Sequence, residues 1–258
     1  MYFIILSFWG KNKIKLIEEM NESKIKIVST RVGYSNSILL VNGSNSVIID
    51  TGVKGNINRF KLLLKQYRLN PSDIKLIILT HSHYDHTGNL KALADLTGAK
   101  VLVHKYEFEN LKNGFTAIPV GQGKFSSIIS KLGRMIYPRF ASPKPFIADF
   151  VNEDEFDLNE FKIDGKVIST PGHTNGSQSV LLNRTLISGD TFVNMRNGDI
   201  FPPFANEPKI LLETWQNIFN LGIENIYPGH GKMFKIEKAV AEYEKWKKKS
   251  ENGSNYWQ

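Results

Sequence analysis

The segment Thr80-His81-Ser82-His83-Tyr84-Asp85-His86 constrains this chain more than any other stretch. Three of its six histidines and an aspartate fall within six residues, directly after the apolar run Ile74–Leu79, which reads as a buried strand. A strand that runs into a cluster of imidazole and carboxylate donors reads as a metal-binding turn. In extended backbone, residues two apart point the same way, so His81 and His83 can grip one cation as a pair. Asp85 and His86, beyond the turn, can reach a second.

Four donors are too few for two cations, and three further segments supply candidates. Thr170-Pro171-Gly172-His173-Thr174 offers His173 after a strand, Ile187-Ser188-Gly189-Asp190-Thr191 offers Asp190 where a strand ends, and Tyr227-Pro228-Gly229-His230-Gly231 offers His230 after another strand. Glycine and proline beside each donor fix a turn and allow close backbone approach. The sixth histidine, His104, ends the strand Lys100–Val103 outside any such motif and reads as structural. With no cysteine in the chain, thiolate sites, disulfides and cysteine nucleophiles are excluded.

Around these segments the chain alternates between two periodicities. Ser37–Val41 and Ser46–Ile49 flank Asn42-Gly43-Ser44-Asn45, a hairpin signal. Ile57, Phe60, Leu63, Leu64 and Tyr67 recur at helical spacing up to Pro71, and a second helix is expected from about Gly88 to Leu96. Later strands are expected at Lys166–Ser169, Gln178–Leu182, Thr185–Ser188 and Ile223–Tyr227, with helices at Pro208–Leu221 and Ile236–Lys249. This alternation predicts an α/β architecture with sheets covered by helices, and no fixed-period repeat is present.

Residues 105–161 break the pattern. They include an amphipathic stretch, Phe125–Tyr137, and read as an insertion or lid. Residues 1–23 read as an N-terminal extension to a single domain over 24–258, and Met20 is a conceivable second start. The apolar segment 2–9 has no basic residue before it and no small-residue cleavage site after it, and it is too short to span a bilayer. A cytoplasmic protein without a membrane span is expected. The formal charge of +8 favours anionic partners, but Lys245, Lys247, Lys248 and Lys249 gather on the last helix as a solvated face, which argues against nucleic acid.

Taken in order, THSHYDH, TPGHT, SGDT and YPGHG resemble the metallo-β-lactamase superfamily, specifically its glyoxalase II-like branch. The resemblance runs from about residue 25 to 235. It implies a four-layer αβ/βα sandwich, two mixed sheets flanked by helices, with two metals at one edge. It further implies that His81, His83 and His173 hold the first metal, Asp85, His86 and His230 the second, and that Asp190 bridges them. Asp50 matches a buried aspartate that supports the histidine-rich loop.

The donor set suits two divalent ions, Zn2+ first, with Fe or Mn open. The function expected is a metal-dependent hydrolase that uses a metal-bridging hydroxide on a small ester, thioester or lactone, with Asp85 as the catalytic carboxylate. A nuclease or phosphodiesterase, and a mononuclear-iron sulfur dioxygenase on the same scaffold, are the alternatives. Among the family's branches, quorum-quenching lactonases carry a tyrosine three residues after the bridging aspartate, where this chain has Val193. Glyoxalase II grips glutathione through a helical carboxy-terminal domain, whereas here a single helix follows His230.

Overall fold

The computed structural model describes residues 17–20, 25–116, 121, 143–194 and 198–251. Two sheets stack face to face. The first has seven strands in chain order: β1 (Ile17–Met20), β2 (Lys26–Val32), β3 (Ser35–Val41), β4 (Ser46–Ile49), β5 (Ile74–Ile78), β6 (Lys100–His104) and β7 (Phe150–Asn152). The first four pair antiparallel, β2 with β3 and β3 with β4 through tight turns. From β4 to β7 the pairing is parallel, as crossovers through helices require. Those helices are α1 (Ile57–Gln66), α2 (Tyr84–Thr87), α3 (Leu90–Thr97) and α4 (Lys105–Lys112).

The second sheet has six strands: β8 (Glu155–Asp157), β9 (Lys166–Ser169), β10 (Gln178–Leu182), β11 (Thr185–Asn194), β12 (Asn225–Gly231) and β13 (Phe234–Lys235), ordered β13-β12-β11-β10-β9-β8. Only β11 and β12 run parallel, with α5 (Pro208–Phe219) crossing between them and α6 (Ile236–Glu251) following β13.

Alternation along each strand assigns side chains to layers. In β5, Leu76 and Ile78 face the second sheet, where they meet Val167, Val180, Ile187 and Tyr227. Ile77 faces the other way, onto Phe60, Leu63 and Leu93 of α1 and α3. A third core packs Leu186, Phe192 and Ile226 against Trp215 of α5 and Trp246 of α6. The order is helices, sheet, sheet, helices, which is the expected four-layer sandwich. Strands covered on both faces explain why Ile74–Leu79 reads as an unbroken apolar run.

Several elements differ from the sequence expectation. β11 continues to Asn194 instead of stopping at Ser188, because shifts of register on either side of Gly189 let the strand bend and resume. Asp190 therefore lies within a strand, and so does His230, since β12 reaches Gly231. Within 105–161, the flanks belong to the sandwich as α4, β7 and β8, while Phe125–Tyr137 lies outside the described residues. At the other end, Ile17–Met20 pairs with Lys26–Ser29, and segment 2–9 lies outside the described residues. Among the described residues no helix is long and apolar enough to cross a membrane.

Candidate metal centre

Loops and bulged strands at one end of the sandwich bring five of the six histidines together. His81, His83, Asp85 and His86 follow β5, with Asp85 and His86 on the single turn of α2. His173 lies between β9 and β10, Asp190 on β11 and His230 on β12. All seven expected residues converge. Their candidate donor atoms form three overlapping trios, each with its atoms within 4.8 Å of one another: His81/His83/His173, Asp85/His86/His230 and His81/His86/Asp190.

Asp190 stands between the first two trios. Its Oδ2 is 3.3 Å from His230 Nε2 and 3.6 Å from His173 Nε2, and its Oδ1 is 3.4 Å from His86 Nε2. Asp85 Oδ2 lies 3.3 Å from His230 Nε2 and 3.7 Å from His86 Nε2. On the other side, His83 turns Nδ1 toward His173 Nε2 at 3.0 Å. Two glycines make this convergence possible. Gly189 has φ +51°, and a Cβ there would lie 2.5 Å from Thr80; a Cβ on Gly229 would lie 2.0 Å from Asp190 Oδ1.

The rings are oriented from behind. His173 Nδ1 lies 2.8 Å from the Phe204 carbonyl and His230 Nδ1 2.9 Å from the Tyr34 carbonyl. A carbonyl only accepts, so these Nδ1 atoms carry hydrogen and each Nε2 is the nitrogen turned into the cluster, a lone-pair donor once any proton on it is displaced. His86 Nδ1 is 2.7 Å from Asp50 Oδ2. Thr80 Oγ1 donates to the same Asp50 oxygen at 2.8 Å, which uses its one hydrogen. His81 Nδ1, 3.0 Å from Thr80 Oγ1, is then the donor to that hydroxyl. Asp50, anchored also by the Thr80 amide at 2.8 Å, thus sets two rings at once.

A cation fits what this arrangement leaves over. His81 Nε2, His86 Nε2 and Asp190 Oδ1 are buried without a hydrogen-bond partner, a costly state unless something else satisfies them. The electrostatics divide the cluster. Burial, followed by the neighbouring imidazoles, holds His81 well below the usual histidine range and His83 down to about 3, and burial also lowers His173. Burial opposes charge on His86 and His230 too, but Asp190 and the other carboxylates overcome it, raising His86 well above its ordinary value and His230 to about 9. The reciprocal attraction outweighs burial at Asp190 and Asp85, whose carboxyls are held low.

His104 stays apart from the cluster. Its Nε2 contacts the Glu153 carbonyl at 2.8 Å and Ser169 Oγ at 3.0 Å, and its Nδ1 accepts from the Tyr106 amide at the start of α4. Sequence reasoning did not find the Thr80 hydroxyl or the Tyr34 and Phe204 carbonyls. Only the adjacency of Thr80 to His81 could have signalled the first, since backbone carbonyls leave no trace in residue identity.

The metallo-beta-lactamase superfamily profile matches residues 30–230. A protein of Methanocaldococcus jannaschii named "Probable metallo-hydrolase" is 31% identical over 209 residues, which cover 78% of this chain and 90% of that one. A solved archaeal metallo-beta-lactamase superfamily protein from Sulfolobus tokodaii is 25% identical, with a TM-score of 0.61 and 85% of each chain covered. A further solved protein, in a di-iron-bound form, shares the fold at 23% identity, with a TM-score of 0.59 over 80% of this chain and 92% of its own. With the family profile spanning most of its length and a His/Asp cluster suited to two metal ions, this chain belongs to the metallo-beta-lactamase superfamily and is one of its metallo-hydrolases.

Proposed function

We propose that His81, His83 and His173 hold one divalent cation, that Asp85, His86 and His230 hold a second, and that Asp190 bridges them in the hydrolysis of a small ester, thioester or lactone. The observation that carries this reading is the position of Asp190, with one oxygen near both His173 and His230 and the other near His86. A mononuclear-iron sulfur dioxygenase would have no need for Asp85, His86 and His230 to converge as a second trio. The bridging aspartate also supports a glyoxalase II-like branch. Zinc is the first choice of metal, and the same donors accept iron or manganese. The absence of cysteine suits a reducing cytoplasm, where we place the reaction.

Held there, two such cations would supply Lewis-acid activation of water and of a carbonyl oxygen. The chain's own residues do the rest. Hydrogen bonds to Asp50, Thr80, Tyr34 and Phe204 keep four rings from turning, so each presents the same nitrogen throughout. Water adds to the acyl carbon and the acyl–oxygen or acyl–sulfur bond breaks. The proton that water loses passes through the Asp85 carboxylate to the leaving group. Desolvation around the buried cluster strengthens each of these interactions.

Metal analysis combined with thioester, lactone and phosphodiester substrates tests this reading. We expect close to two cations per chain and turnover of an acyl substrate. One iron per chain with oxygen uptake would replace the proposal with the dioxygenase, and phosphodiester turnover alone would replace it with a nuclease. Asp85→Asn, with both metals retained, should lose at least about a hundredfold in turnover, in keeping with general acid–base contributions. Full turnover in that variant would remove Asp85 from the proton path.

A further inference from the structure

Glu107 is a buried carboxylate that the chemistry above does not use. It sits in the first turn of α4, 3% exposed, on a helix that carries none of the cluster's donors. Its Oε2 accepts a hydrogen bond from Ser82 Oγ, and Ser82, 2% exposed, stands between His81 and His83. Asn110 Nδ2, one turn along α4, reaches both Glu107 Oε2 and Ser82 Oγ at 3.4 Å.

The other side of the Glu107 side chain meets the second loop of the first trio. A Cβ on Gly176 would lie 2.5 Å from Glu107 Cγ and 2.9 Å from Oε1, so the glycine backbone rests against the glutamate. Gly176 belongs to the turn that begins at His173, and that turn is closed by Thr174 and Ser177, whose hydroxyls are 2.9 Å apart. Glu107 is therefore wedged between the loop that bears His81 and His83 and the loop that bears His173. The first loop comes from the first sheet and the second from the second sheet; Gln178 joins their bases, its amide donating to the Thr80 carbonyl at 2.9 Å and its Nε2 to the Leu79 carbonyl at 2.7 Å, and Glu107 spans them farther out, beside Ser82 and Gly176.

We propose that Glu107 is a positioning residue, which tethers the His81–His83 loop through Ser82 while spacing it from the His173 loop, and so tunes the affinity of the three-histidine cation site. The inference rests on the two-cation reading above. Ser82 cannot swing without breaking its bond to Glu107, and the backbone of His81 and His83 moves with Ser82. Shortening Glu107 releases the tether on one side and removes the spacer on the other. Neither change alters a donor atom.

The test is a cobalt titration of the metal-stripped full chain, with chelator competition and the visible absorption of each cobalt site recorded. Partners that orient metal-binding residues typically contribute about 10–100-fold to metal affinity. Glu107→Ala should weaken cobalt at the three-histidine site by at least about tenfold and change its absorption, while the Asp85/His86/His230 site keeps its affinity. Glu107→Gln retains an acceptor for Ser82 and the full side-chain length, and should restore most of the affinity. Ser82→Ala in the Glu107→Ala background should add little, since both remove the same tether. A purely structural glutamate would lower the melting temperature and leave the spectrum of the folded fraction unchanged, and that result overturns the proposal. Equal loss at both sites overturns it as well. If wild type binds two cations and Glu107→Ala binds both as tightly, the positioning role fails and the metal centre stands. If wild type binds none, the metal centre fails and takes this role with it.

Discussion

Gly229→Ala probes the centre without changing any donor. The φ of Gly229 lies outside the left-handed region, so alanine meets no backbone strain there. The obstacle is Asp190: the new Cβ would sit 2.0 Å from Oδ1, with the Gly189 carbonyl carbon at 2.9 Å and its oxygen at 3.1 Å. Ordinary contact begins at 3.4 Å, so the carboxylate must retreat by about 1.4 Å from its 2.0 Å separation. Asn36 Nδ2 holds β12 on either side of Gly229, at the Pro228 and Gly231 carbonyls (2.8 Å each), so the carboxylate yields and Oδ1 loses its place 3.4 Å from His86 Nε2. Misplacement by about 1 Å costs on the order of a hundredfold in rate where geometry governs the chemistry. The expected result is a folded protein with near-wild-type circular dichroism, less than two cations per chain, and turnover reduced on that scale. A Gly229→Ala protein with two cations and wild-type turnover would refute the bridging role of Asp190.

Asp50→Ala should leave the buried Thr80 amide unpaired, destabilising the fold by about 1–3 kcal/mol in chemical denaturation, and should weaken cation binding by about 10–100-fold. Cation binding at the Asp85/His86/His230 trio must expel the proton that Asp190 and Asp85 hold on His230 up to about pH 9, as well as the one on His86. Affinity there should rise with pH by up to about tenfold per unit for each proton released, at least until about pH 9, whereas the His81/His83/His173 trio, already deprotonated, stays nearly flat through the neutral range. Chelator competition across that range checks this, and parallel slopes for the two sites would contradict it. Trp215→Ala should cost about 3–5 kcal/mol in unfolding free energy, because the ring is fully buried against Phe192 and Phe201 and donates to the Thr191 carbonyl at 2.8 Å.

The seven residues that converge were legible because metal-binding chemistry admits few residue types and because glycine and proline mark the turns that carry them. Strands buried on both faces were legible as apolar runs, and α1 and α5 as helical periodicities. What escaped lacked a local signal. β7 and β8 are three residues each, too short for alternation to register, and they exist because β6 and β9 offer them an edge. β2 mixes Lys26, Ser29, Thr30 and Arg31 with its apolar positions, so its pattern is diluted. The early stop expected for β11 followed from glycine, which here bends the strand without ending it. Contacts such as Ser82 with Glu107 join residues 25 apart through a fold that residue identity alone does not specify.

The inter-sheet core has a consequence for chain entropy. His81 and His230 are separated by roughly 150 residues, and closing a loop of that length costs of order 4 kcal/mol beyond the cost of the shortest contact. In small metal-dependent modules the ion itself must overcome such costs, and stripping it unfolds the chain. Here Leu76, Ile78 and Leu102 meet Val167, Val180 and Tyr227 across the sandwich, and this packing holds the loop closed without calling on the donors. On the two-cation reading, ions would bind to ends that this core already joins, and their removal and return is expected to be a reversible exchange on a chain that stays folded.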